Sequence, residues 1–228
     1  IKGYTEGLQD GIADTPEKQK RYYEAIHVRA MDMEALVDSL SVFSRLENRH
    51  HRYQLELVDM KEYLEQLLEE YKEEAEQKKI TLLMEWTARN TQVKLDLQEM
   101  HRVFINLFEN SVKYRTKERS VIKLILDERG TDLEIRVADD GPGVPEADLE
   151  HIFNSFYRGD ASRTKPGSGS GLGLAIVKQI VEGHGGKICA YNDHGLVIVI
   201  TLPLVRERLG GSRENGKGET GENEENTG

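Results

Sequence analysis

Three stretches of this 228-residue chain combine residue types and spacings suited to holding a charged ligand. Gly167-Ser168-Gly169-Ser170-Gly171-Leu172-Gly173-Leu174 runs into an apolar helical pattern. Glycine lets the backbone approach an anion, and the N–H groups that open the next helix point at it. A polyphosphate is the obvious ligand, and a glycine-rich loop without a ligand is the plainer reading. The dinucleotide fingerprint needs a preceding strand and a later ribose-binding acid, and the phosphate loop ends in Gly-Lys-Ser/Thr. Neither pattern is met. The second stretch, Val137-Ala138-Asp139-Asp140-Gly141-Pro142-Gly143-Val144, follows a strand pattern. Its carboxylate beside a glycine turn could accept from a base amino group or hold a cation, though many Asp-Gly pairs are only turns. In the third, a helix from Leu97 carries Asn106 and Asn110 one turn apart on one face, with Lys113 close behind. Asn110 offers a carbonyl oxygen to Mg2+ and Lys113 a charge to phosphate. A solvated helix face is the plainer reading of Asn106 and Lys113.

These residues need a scaffold. Asp59 caps a helix carrying Tyr63, Leu64, Leu67, Leu68, Tyr71 and Ala75, and Asp96 caps the helix of the asparagines. Tyr53, Leu55 and Leu57 alternate as in a short strand. Ile80 to Trp86 and Val93 to Leu95 also read as strands. Val121–Leu126 pairs with Leu133–Val137 as a hairpin, and Lys187–Ala190 with Leu196–Leu202 as another. Gly171 to Val181 reads as a helix. Helices grouped against hairpin-connected strands predict an α+β fold, a two-layer α/β sandwich with a mixed sheet.

The chain before residue 48 is of another kind. It opens Ile1-Lys2-Gly3-Tyr4, and the spacing of Tyr4, Leu8 and Ile12 predicts the end of a helix that starts outside the sequence. Thr15-Pro16 opens a long helix. Ile26, Ala30, Met33, Val37, Leu40 and Ser44 follow in steps of four and three, with Leu36, Phe43 and Leu46 widening the stripe. This pattern predicts a helical hairpin that completes a four-helix bundle by dimerising. The plainer reading lays the helix on its own domain. His50 and His51 fall in a polar hinge. From Gly210 onward no apolar residue occurs, which predicts a disordered acidic tail. The expected domains are therefore 1–47, 48–206 and 207–228.

Composition narrows the classes. Acidic residues number 41 and basic residues 31, a net charge of −10, which weighs against a general nucleic-acid partner. The single cysteine, Cys189, excludes an internal disulfide and any CxxC site. No apolar run approaches the ~20 residues that span a bilayer, so no direct membrane contact is expected here.

Together the motifs resemble those of bacterial sensor histidine kinases. Asn106-Leu107-Phe108-Glu109-Asn110-Ser111-Val112-Lys113-Tyr114 is similar to their N box, and Asp139-Asp140-Gly141-Pro142-Gly143 to their first glycine box. Ile152-Phe153-Asn154-Ser155-Phe156-Tyr157-Arg158 resembles the F box, and Gly169 to Leu174 the second glycine box. Ser44-Arg45-Leu46-Glu47 resembles the end of the second dimerisation helix. The likeness covers roughly residues 1–204.

The resemblance implies an ATP-binding sandwich of the type shared with gyrase, certain heat-shock chaperones and mismatch-repair ATPases. It implies that Asp139 binds the adenine amino group, with Gly141 and Gly143 beside it. Asn110 would help hold Mg2+, with Asn106 near it. Lys113, Tyr114 and Arg158 would lie around the phosphates, and Gly169, Gly171, Leu172 and Gly173 would belong to a mobile lid. Asn106 stands where the hydrolysing ATPases carry a glutamate. An amide is a poor base, which suits phosphate transfer to histidine, then to an aspartate of a response regulator. The implied parent is a homodimer anchored in the bacterial membrane, with this part on the cytoplasmic side. The family's acceptor-histidine motif is missing: none of His27, His50, His51, His101, His151, His184 and His194 has its context. The chain is thus expected to bind nucleotide without phosphorylating itself. A hydrolysing ATPase of the same superfamily and a catalytically inactive dimerisation module are the alternatives.

Overall fold

The computed structural model describes residues 1–47, 51–159 and 170–205. The glycines and serines from 160 to 169, the hinge residues 48–50 and the acidic tail lie outside the described residues.

Helix α1 (Lys2–Gln9) and helix α2 (Pro16–Glu47) form the expected hairpin. Thr15 Oγ accepts from the Lys18 amide at 3.2 Å, which caps α2. The hairpin closes where Tyr4 meets Tyr22 edge-on, ring centroids 5.3 Å apart.

Strand β1 (Glu56–Asp59) leads into helix α3 (Met60–Gln77), followed by β2 (Ile80–Trp86), β3 (Gln92–Leu95) and helix α4 (Leu97–Tyr114). Both aspartate caps are present. Asp59 accepts from the Lys61 and Glu62 amides, and Asp96 from those of Gln98 and Glu99. Strands β4 (Ser120–Arg129) and β5 (Asp132–Asp139) make the first hairpin. Helix α5 (Gly173–Gly183), β6 (Lys187–Asn192) and β7 (Leu196–Pro203) complete the order.

The main sheet runs β2-β4-β5-β7-β6, while β1 and β3 form a separate antiparallel pair. Only β2 and β4 are parallel, because α4 lies between them in the chain and carries it across. Alternation fixes which face is buried. Leu133, Ile135 and Val137 of β5 point into the core, whereas Glu134, Arg136 and Ala138 are half-exposed. Into the same core go Met60, Leu64 and Leu67 of α3, Phe104 and Phe108 of α4, and Ile176, Val177 and Ile180 of α5. The mixed two-layer sandwich read from the sequence is thus the one observed.

Three expectations need correction. The short strand expected from Tyr53, Leu55 and Leu57 starts later, at Glu56, and its buried residue is Val58, with Leu55 and Leu57 exposed. That phase is set by Asp59, which must turn toward the first α3 amides and Thr91. Helix α5 starts at Gly173, two residues later than the pattern suggested, because Gly171 has a left-handed backbone with φ of 72°. His51 is not a plain surface residue: its ring stands edge-on to Tyr53, 4.7 Å away.

The long helix divides between both readings of its stripe. Phe43 and Leu46 are buried in the core beside α5. Arg45 reaches Glu99 at the start of α4 at 2.7 Å. Met33, Val37 and Leu40 of the seam stay exposed.

Candidate functional site

Three sequence-distant motifs converge around the C-terminal half of α4. That helix forms because Asp96 caps it and because Met100, Val103, Phe104, Leu107 and Phe108 give it one apolar side. The remaining side turns Asn106, Asn110 and Ser111 half-buried toward neighbouring elements. Asn106 donates to the Arg102 carbonyl at 2.9 Å, which leaves its Oδ1 directed outward from the helix.

At one edge of α4 lies Asp139, the last residue of β5. Its Oδ1 accepts from the Gly141 amide at 2.9 Å and the Leu196 amide at 3.1 Å. Ser111 Oγ lies 3.3 Å from its Oδ2 and 3.1 Å from the Leu107 carbonyl. One carboxylate oxygen is therefore pinned by two backbone donors, and the other is shared with a hydroxyl. Asp140 has a different task. It accepts from the Val121 amide at 2.9 Å and from Lys117 at 2.9 Å. Burial alone would raise its carboxyl, but these bonds hold it below the ordinary value. The Gly143 turn is held by Asn192, which accepts from the Val144 amide at 2.9 Å and donates back to the Val144 carbonyl at 2.6 Å.

At the other edge of α4 lies the start of α5. A Cβ placed on Gly173 would stand 3.0 Å from Asn106 Oδ1 and 4.0 Å from Asn110 Nδ2. Only a residue without a side chain lets the two helices approach this closely. Gly171 backs onto the F-box segment. Its carbonyl accepts from the Phe156 amide at 2.9 Å, and a Cβ there would meet Phe156 backbone at 2.9 Å. Phe156 is itself left-handed, with φ of 62°. Leu172 is fully buried, which anchors the turn between Gly171 and the helix.

Lys113 and Tyr114 close the end of α4, with the Lys113 ammonium 5.1 Å from the Tyr114 ring centre. Partial burial, and then the positive charge of Arg158, lower the Lys113 pKa, partly offset by Glu109. The two cationic side chains lie close enough to feel each other, an arrangement that suits a polyanionic ligand. Gly169 lies outside the described residues.

Asn106, Asn110, Lys113, Tyr114, Arg158, Asp139, Gly141, Gly143, Gly171, Leu172 and Gly173 thus fall on elements that meet around α4. Sequence reasoning missed Ser111, Asn192 and the Gly195-Leu196 turn, which hold Asp139 and its loop. Ser111 sits inside the Asn106–Tyr114 motif, and the Asp193–Gly195 turn joins β6 to β7, the neighbour of β5, so both had a faint signal. Two clefts among the described residues lie elsewhere. One of about 390 Å³ runs between Phe43, Phe153 and Lys178, and one of about 590 Å³ between Arg45, Arg52 and Asp96. No helix among the described residues is long and apolar enough to cross a membrane. No three His, Cys, Asp or Glu among them converge as metal ligands.

The sequence pattern of the family described as histidine kinase-, DNA gyrase B- and HSP90-like ATPase matches residues 95–206. The sensor histidine kinase WalK of Bacillus subtilis (strain 168) is 28% identical over 91% of this chain and 34% of its own length. The sensor protein kinase WalK of Staphylococcus saprophyticus is 31% identical over 89% of this chain and 33% of its own. The chain thus spans about a third of the length of the curated relatives it matches. Among solved structures, the catalytic domain of the histidine kinase ThkA matches with a TM-score of 0.57 and 29% identity, over 66% of this chain and 95% of that one. ThkA in complex with the response regulator TrrA matches with a TM-score of 0.69 over 89% of this chain and 56% of that one. At 24% identity this second likeness speaks to the fold alone.

Proposed function

On the premise that residues 95–206 belong to the histidine kinase-, DNA gyrase B- and HSP90-like ATPase family, we propose that this chain is the ATP-binding catalytic part of a sensor histidine kinase. It positions ATP for transfer of the γ-phosphate to a histidine, from which an aspartate of a response regulator receives it. The reading rests on Asp139. Its Oδ1 is committed to the Gly141 and Leu196 amides, so the carboxylate is fixed in orientation while Oδ2 remains within reach of a further donor. An exocyclic amino group such as that of adenine suits this acceptor, and a guanine carbonyl at the same place would meet it acceptor to acceptor.

The other site residues take roles along the nucleotide. Gly141 and Gly143 give the base and ribose room. Asn110 supplies one amide oxygen to Mg2+, a hard cation that would otherwise keep water and phosphate oxygens. When bound, Mg2+ neutralises charge on the phosphates. Lys113, Tyr114 and Arg158 would lie around the phosphates, with Gly169, Gly171, Leu172 and Gly173 lining that end of the nucleotide. Asn106 orients its neighbours without acting as a base, since an amide does not take up a proton at neutral pH. That chemistry favours transfer over hydrolysis. Residues 1–47 act as a dimerisation hairpin, 48–206 as the catalytic domain and 207–228 as a tail. The exposed Met33–Val37–Leu40 stripe is the surface on which a second copy completes the bundle. The parent is placed in the bacterial cell membrane, with this part on its cytoplasmic side.

Comparison of Mg-ATP and Mg-GTP binding by calorimetry tests the reading. ATP is expected to bind with clear preference, and Asp139→Ala to lose about 1.5–3 kcal/mol of ATP affinity, the worth of a hydrogen bond to a charged group. Equal affinities for the two nucleotides in the unchanged protein would refute it.

A further inference from the structure

The two helices that carry the site are gripped at both ends, and one grip involves no residue of the motifs. Helices α4 and α5 run antiparallel. At one end Gly173 faces Asn106 and Asn110. At the other end His184, just past α5, receives the Asp96 amide on Nε2 at 2.9 Å. Its Nδ1 lies 2.7 Å from the Ile180 carbonyl. A backbone amide only donates and a carbonyl only accepts. The two partners therefore require the neutral ring with its proton on Nδ1.

His184 is buried, and the Tyr53 ring stacks against it with centroids 4.4 Å apart. The groups that face it are Asp96 and Glu99 of α4, and Tyr53 and His51 of the segment after α2; Arg45 of α2 holds Glu99. Burial lowers its pKa most. The Ile180 carbonyl, Asp96 and Glu99 pull the other way, and His51 adds to the lowering.

We propose that His184 is a positioning residue for the nucleotide site: the neutral ring clamps the end of α5 to the first turn of α4 and fixes the register in which Gly173 faces Asn106 and Asn110. The inference rests on the nucleotide-binding reading for its consequence, not for its geometry. Protonation would place an Nε2–H against the Asp96 N–H, two donors with no acceptor between them. The clamp then opens at the start of α4. Because the folded-state pKa lies below that of a free imidazole, the unfolded chain takes up the proton first. The contribution of His184 is therefore intact above about pH 6.5 and is lost progressively as pH falls below it.

Two substitutions separate positioning from mere packing. In His184→Gln the side-chain oxygen takes the place of Nε2 and still accepts from Asp96. In His184→Asn the amide takes the place of Nδ1, still donates to Ile180 and abandons Asp96. Both lose the same ring stacking on Tyr53, so comparable drops in melting temperature are expected. The readouts are Mg-ADP affinity and the side-chain amide NMR signals of Asn106 and Asn110, assigned in the whole chain without nucleotide. His184→Asn should shift both signals and weaken Mg-ADP by about three- to tenfold, the range set by one lost hydrogen bond. His184→Gln should leave the signals near their original positions and the affinity within about twofold. As pH is lowered below about 6.5 the unchanged protein should drift toward the His184→Asn spectrum, and His184→Gln should not. Variants that leave the asparagine signals unmoved, or move them equally, overturn the proposal. If the unchanged protein binds no Mg-ADP, the nucleotide reading fails, and the asparagine signals alone decide the clamp.

Discussion

The α4–β5–α5 region and the long helix α2 solve the same problem in opposite ways. Phe104 and Phe108 of α4 are fully buried by residues of their own chain. Met33, Val37 and Leu40 of α2 keep 57%, 65% and 49% of their surface exposed. Both stretches read as apolar stripes of helical spacing. The difference lies in what the chain supplies to cover them. Strands β4, β5 and β7 provide a surface wide enough for α4, whereas α1 reaches only the early part of α2. A stripe complete in sequence but uncovered in one copy of the chain is what the proposed dimer would cover. The end of α2 belongs to the other class, since Phe43 and Leu46 enter the hydrophobic core of the sandwich.

The sharpest test of that contrast pairs one substitution from each region. Phe108→Ala should lower unfolding stability by about 3–5 kcal/mol, as expected for a buried aromatic truncated in a packed core. Val37→Lys should change the stability of a single chain by about 0.5 kcal/mol or less, yet weaken self-association. Chemical denaturation at low protein concentration, with sedimentation across a concentration series, reads both. A large loss of single-chain stability from Val37→Lys would erase the distinction.

A smaller effect sharpens the site itself. Gly171→Ala puts a side chain on a left-handed residue and presses it against Phe156. The expected cost is about 1–3 kcal/mol, read in thermal unfolding, whereas Gly3 of α1 lacks both constraints. Gly3, with open space at its Cβ position, should accept alanine with no measurable loss. Equal tolerance at positions 171 and 3 would remove the claim that the turn before α5 is sterically defined.

The smallest expected effect is on acid stability. Asp127 on β4 accepts from Thr87 Oγ and from Arg136. The Thr87 bond first, then the Arg136 charge and bond, hold its carboxyl below the usual carboxylate value, against the opposing push of burial. A depressed folded pKa means that the unfolded chain binds the proton first as pH falls. The stabilisation is full above about pH 3.9 and disappears as pH drops through the folded value. Asp127→Asn should flatten this acid limb of a stability–pH curve. An unchanged limb would move the acid sensitivity to another group.

What was legible in the sequence follows from local rules. Asp59 and Asp96 precede apolar periodic runs and cap them, because a carboxylate satisfies amides two and three residues ahead in any context. The β4–β5 hairpin could be read for the same reason: alternation and a tight turn are local. The bounds and phase of β1 were not legible there, because Asp59 sets them by bonding to Thr91 and Gln92, more than thirty residues away. Ser111 escaped notice because its importance comes from β5, not from its own helix.

The sequence by itself therefore determined the elements, the mixed sandwich and the identity of the motifs, since residue type, periodicity and capping act over a few positions. Only the tertiary structure decided that Gly173 meets Asn106 and Asn110, that Leu196 helps fix Asp139, and that His184 grips Asp96. Each of these joins groups dozens of residues apart. Such approaches depend on how helices settle on a sheet, where close packing of the whole core, not any local preference, sets the spacing.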